Sequence, residues 1–145
     1  MYKSNQMGFI GESRAITEFL KLGFSIYVPF SDGNDQFDFI AHKNDKLLKV
    51  EVKSTTCTDP RCKGNCYQVG LRSIRYKNRI RHFDPSKSDI LAAYIQPLDV
   101  VCFVKSSDIT NTTGITFRDN LSSSVYMKNH KQRLVSEYTD LEKVI

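Results

Sequence analysis

The stretch Phe37–Lys53, FDFIAHKNDKLLKVEVK, limits what the chain can fold into more than any other, because apolar and polar residues alternate on both sides of a turn cluster. Phe37, Phe39 and Ala41 alternate with Asp38, Ile40 and His42, and Leu48, Val50 and Val52 alternate with Lys49, Glu51 and Lys53. A period of two is that of strands, and Asn and Asp tolerate the left-handed backbone that a tight hairpin needs. A hairpin centred on Asn44 and Asp45 sets Asp38 directly across from Glu51, and Lys53 points to the same face. Opposed carboxylates with β-carbons roughly 4.5–5.5 Å apart repel each other. A hard divalent cation such as Mg2+, which takes oxygen ligands, relieves that repulsion. The competing reading is a solvated outer face of charged residues.

A second segment weighs on that choice. Asn5 to Leu22 carries Phe9, Ile16, Phe19 and Leu20 at helical spacing and closes at Gly23, a favoured residue after a helix end. Glu12 falls on the same stripe, and an acid on a buried helix face is unusual. It is either an edge residue paired with Arg or Lys, or a fourth group facing the two carboxylates.

Helix with Gly11-Glu12, strand, Asp38, then Glu51-Val52-Lys53: this order resembles the PD-(D/E)XK nuclease superfamily. The similarity extends furthest toward the intron-associated homing endonucleases of this fold, through Leu71-Arg-Ser-Ile-Arg75 and Tyr94-Ile-Gln-Pro-Leu-Asp99, and includes the small Holliday-junction resolvases. Phe37 stands where the superfamily name has proline. The resemblance implies an α/β, restriction-endonuclease-like core: a helix, then a central mixed sheet of four or five strands flanked by helices. It implies that Asp38, Glu51 and Glu12 serve Mg2+, with Mn2+ as a substitute, and that Lys53 completes a catalytic set of Glu12, Asp38, Glu51 and Lys53. The implied activity is hydrolysis of phosphodiester bonds in double-stranded DNA, with junction resolution as the alternative and 5′-phosphate ends as products.

The remaining residues are consistent with one domain spanning residues 1–145, long enough for a single core. A formal net charge of +5 favours an acidic partner such as nucleic acid. No apolar run approaches a membrane span and no signal-peptide pattern opens the chain, so an intracellular, cytoplasmic or nucleoid-associated location is expected. Phe24 to Phe30 reads as a strand, and Tyr67, Val69 and Leu71 alternate in another. Paired beside the Glu51 strand, that second strand would bring Gln68 near the site. Arg72, Arg75, Lys77, Arg79 and Arg81 form a basic segment suited to phosphate contacts that position a duplex without reading it.

Ile90 to Gln96 and Val100 to Val104 read as buried strands, and Ile115 to Phe117 as a short one. Residues Asn129 to Val144 read as a final helix, with Leu134, Tyr138, Leu141 and Ile145 at helical spacing. Cys57, Cys62 and Cys66 share one loop and could hold a structural zinc ion, with His82, His130 or Cys102 as fourth ligand; free thiols are the simpler reading. Two other functions compete with the nuclease: a DNA-binding module without activity, and an interaction module stapled by zinc. A nuclease that cuts both strands needs two sites, so a homodimer or homotetramer is expected.

Overall fold

The computed structural model describes residues 4–31, 35–56, 58, 65–75, 79–121 and 131–145. It opens with helix α1, Ser4–Lys21. Gly23 takes a left-handed φ of +83°, its amide donates to Leu20 O and that of Phe24 to Phe19 O, the paired bonds that close a helix on a glycine. The chain then forms β1 (Ser25–Tyr27), β2 (Phe39–Lys43) and β3 (Lys46–Thr55). The expected hairpin is present: Lys43 pairs with Lys46 around Asn44-Asp45, with Asn44 left-handed at φ 54°, and the register runs back to Phe39 opposite Val50.

Strands β7 (Ile90–Ile95) and β8 (Val100–Lys105) complete a five-stranded mixed sheet in the order β1-β2-β3-β7-β8, with β3 and β7 parallel. All six side chains of β7 are buried, which is why its sequence shows no alternation. Between β7 and β8 a short 3-10 turn, Gln96–Leu98, ends at Asp99 with φ 51°. Asp99 accepts from the Tyr94 hydroxyl at 2.9 Å and ion-pairs with Arg14 of α1 at 3.3 Å, tying the turn to the helix.

A second layer consists of β4 (Cys66–Gly70), β9 (Gly114–Arg118) and β10 (Arg133–Leu134), followed by the four-residue α2 (Val135–Tyr138). Parity along β3 and β7 assigns the two faces. Val50, Val52, Ile90, Ala92 and Tyr94 pack in the core under α1, with Ala15 and Phe19. Leu91, Ala93 and Ile95 pack in the other core, with Tyr67, Val69 and Phe117. Glu51 and Lys53 are register partners of Leu91 and Ala93 and so share the second face.

Three expectations need correction. The buried row of α1 is Met7, Gly11, Ala15 and Phe19, a strict four-residue spacing, whereas Phe9 and Leu20 are 69% and 54% exposed. The strand containing Gln68 is not beside Glu51: it pairs with β9, and β7 takes the place next to β3. Alternation of Tyr67, Val69 and Leu71 specifies a buried face but not a partner strand, and the second layer satisfies it equally well. The final helix shrinks to α2, because Arg133 and Leu134 pair with Phe117 and Arg118, and Asp140 caps a separate 3-10 turn at Leu141–Lys143. Residues 129 and 130 lie outside the described residues.

Candidate active site

The site is built where β3 outruns β2. Beyond Val50 the edge of β3 that faced β2 has no ladder partner, and an unpaired strand N–H is costly unless something accepts it. Asp38 supplies the acceptor. Its own amide donates to Val50 O at 2.8 Å, and its Oδ2 accepts from the Val52 amide at 2.6 Å. The ladder pairing of Asp38 with Glu51 expected from the hairpin therefore stops one step short, yet the two carboxylates remain close enough that the charge of Asp38 raises the pKa of Glu51.

Phe39 holds this arrangement from below. It is 1% exposed and meets Phe19 of α1 edge-to-face at 5.5 Å, while Phe19 also contacts Phe24 and Phe103. Edge-to-face pairs contribute about 0.5–1.5 kcal/mol each beyond the area they bury, so Asp38 is anchored by the firmly seated residue that follows it. The same helix carries Glu12. Its approach depends on Gly11: a β-carbon there would overlap Ser54 Oγ and sit 3.3 Å from Tyr94 Cβ. The missing side chain lets α1 lie directly on β3 and β7, and Glu12 is close enough to feel the charge of Asp38.

Glu51 is 3% exposed. Its Oε1 is 2.9 Å from Lys53 Nζ, while Oε2 is buried without a hydrogen-bond partner. Such an orphaned acceptor is rare in a folded protein. Burial pushes the Glu51 carboxyl above its ordinary range against the pull of the Lys53 ammonium, with Asp38 pushing the same way. Asp38 is also raised, by burial that outweighs the Val52 amide and Lys53. Glu12 is raised by burial first and by Asp38 second. All three shifts have burial as their largest cause, so the charged forms of these acids would be favoured by a nearby positive charge.

The donor set suits a hard ion. Asp38 and Glu51 offer carboxylate oxygens; among the described residues no three His, Cys, Asp or Glu side chains come together in a group that could hold a metal ion, so Glu12 does not complete a three-acid set with them. Mg2+ is bound in that open manner, by one or two carboxylates with waters and substrate phosphate.

Gln36, which sequence reasoning passed over, is 5% exposed. Its amide nitrogen donates to Asp84 O at 2.8 Å and its oxygen accepts from Asp84 N at 2.9 Å, and the side chain also approaches the Glu51 carboxylate and favours its charged form. Its only sequence signal is a position two residues before Asp38, at the end of a polar turn.

The other expected site residues stand outside the carboxylate set. Gln68 is on the exposed side of β4, where its carbonyl accepts from Thr55 Oγ1. The basic segment folds into a two-stranded hairpin of β5 (Ser73–Arg75) and β6 (Arg79–Arg81), with Ile74 and Ile80 paired and exposed. Arg72 precedes it and Lys77 lies outside the described residues. Cys66 is fully buried and disulfide-bonded, and a disulfide sulfur is not a thiolate ligand, so neither the zinc set nor the free-thiol reading holds at that residue. Cys57 and Cys62 lie outside the described residues. Cys102 is a core thiol pushed up to about 12 by burial, which suits packing rather than metal binding.

The chain belongs to the PD-(D/E)XK endonuclease family, whose model matches residues 2–139 and so spans the helix, Asp38, Glu51 and Lys53. It is similar in fold to a bacterial homing endonuclease, I-Ssp6803I, with a TM-score of 0.68 and 22% identity over 94% of this chain and 88% of that one. No curated protein matches the chain.

Proposed function

We propose that the protein is a Mg2+-dependent endonuclease that hydrolyses phosphodiester bonds in double-stranded DNA in the manner of a homing enzyme. One observation carries the reading: the buried, unpartnered Oε2 of Glu51 beside Asp38, with Lys53 on the other oxygen. A solvated charged face would place that oxygen in water.

Asp38 and Glu51 would hold the ion. Bound there, it would supply Lewis acidity to the scissile phosphate and acidify the attacking water. The chain's own residues do the rest. Lys53, half-shielded between Glu51 and solvent, directs its ammonium toward the negative charge that develops on the phosphate oxygens. Glu12, more basic than an ordinary carboxylate, accepts a hydrogen bond from the attacking water. Val52 fixes Asp38 through its amide, so the carboxylate does not have to reorganise during the reaction. One such site cuts one strand, and a homodimer or homotetramer supplies the second. The hairpin of β5 and β6, with Arg79 and Arg81, offers phosphate contacts that hold the duplex.

The test offers a synthetic four-way junction and a linear duplex library to the wild type and to Asp38→Asn in Mg2+. A double-strand cut at one site in the library supports the reading. Symmetric nicks at the junction regardless of sequence would make it a resolvase, and binding without cutting in either would leave a DNA-binding module.

A further inference from the structure

Next to the carboxylates lies a cleft of about 400 Å3 that the catalytic reading does not use. Gln36, Phe37, Lys49, Arg81, His82 and Lys87 line it. Two acids also reach it, Asp35 and Asp84, but the Asp84 carboxylate is committed to its own turn: Oδ1 accepts from the Ser86 amide at 3.0 Å and from Ser86 Oγ at 2.7 Å. Three cationic side chains and an imidazole therefore share the lining with two carboxylates, of which Asp84 is tied into its own turn, and the balance is positive.

The cleft is a built feature. One wall is β3, where the Lys49 amide donates to Asp89 Oδ2 at 2.8 Å and the Lys49 ammonium lies 5.7 Å from the Phe37 ring centre. The opposite wall is the segment 81–87, and the buried Gln36 clamps it to residues 35–37 through both its bonds to Asp84. Its place along the site follows from parity. Lys49, Glu51 and Lys53 share one face of β3, so Lys49 begins roughly 6.6 Å from Glu51, two strand residues away. A strand whose scissile phosphate sits at Glu51 and Lys53 therefore passes the mouth of this cleft.

We propose that the cleft binds a DNA phosphate neighbouring the scissile one, with Lys49 and Lys87 as its principal cations and Gln36 as the residue that holds its two walls together. This rests on the endonuclease reading, and its test can fail separately from it. Lys49 and Lys87 are both exposed, so their replacement leaves the fold intact. Binding of a fluorescent linear duplex is measured in metal-free buffer across a salt series. Each phosphate contact contributes about 0.9 to the slope of log affinity against log salt. Lys49→Ala/Lys87→Ala should lower the magnitude of that slope by about 0.9, the share of one phosphate, Lys49→Arg/Lys87→Arg should keep it, and Lys21→Ala, on the helix layer, should leave it unchanged. An unaltered slope in the double alanine variant, with the wild type binding normally, overturns the cleft alone. A wild type that binds no duplex overturns both readings.

Discussion

Asp38 and Val52 are joined by a 2.6 Å hydrogen bond from a strand amide to a carboxylate, and that bond makes Asp38 a structural and a chemical residue at once. It ends the β2 side of the sheet and aims the first acid of the site.

Substitutions at Asp38 should therefore separate stability from chemistry. Asp38→Asn keeps an acceptor for the Val52 amide and should fold within about 1 kcal/mol of the wild type while losing cleavage. Asp38→Ala leaves the amide unpaired and should lose roughly 1–3 kcal/mol as well. Urea unfolding alongside a cleavage assay checks both.

The raised acids set a pH dependence whose sign is defined. Glu51 binds its proton more tightly folded than unfolded, so its contribution to stability is greatest at acid pH. That contribution is lost as the pH rises from the ordinary carboxylate range through the raised value. The metal-free Glu51→Gln protein should melt higher than the wild type at pH 7, by roughly 2–4 °C, the shift that about 1 kcal/mol produces in a chain of this size. The difference should close near pH 4. Adding Mg2+ should raise the wild-type melting temperature and leave that of Glu51→Gln unchanged.

Gly11 is held to glycine by contact. Gly11→Ala gains helix propensity of about 1 kcal/mol, but its methyl group meets Ser54 Oγ and Tyr94 Cβ, and overpacking of this kind costs about 1–3 kcal/mol. A net loss, partly restored in Gly11→Ala/Ser54→Ala, is the expected result of a double-mutant cycle. Cleavage should fall with it, since Glu12 moves with the helix.

Gln36→Leu should cost about 2–3 kcal/mol, because the Asp84 amide and carbonyl lose their partners inside the protein. Thermal unfolding measures it, and retention of full stability would mean that water replaces the amide.

The parts of this fold legible in the sequence are those set by local chemistry. Asn44-Asp45 defines the hairpin and its register, Gly23 ends α1, and the near-continuous apolar runs of Ile90 to Gln96 and Val100 to Val104 give two adjacent buried strands. What stayed hidden is non-local. Parallel pairing of β3 with β7 leaves no trace in either segment, and the period of β4 fits a second layer as well as the first. Phe9 and Leu20 looked like core because they are large, whereas the contact row needed Gly11 and Ala15, which are small. Gln36 could not be read, because a polar residue after a turn cluster is ordinarily wet.

The most direct test is cleavage of a linear duplex library by the wild type and by Lys53→Met, in Mg2+ and in EDTA, with DNA binding measured in parallel. The wild type should cut only with the metal, and Lys53→Met should bind the duplex within a few-fold of wild type and not cut it. Cutting by Lys53→Met at the wild-type rate would contradict the site assigned to Asp38, Glu51 and Lys53.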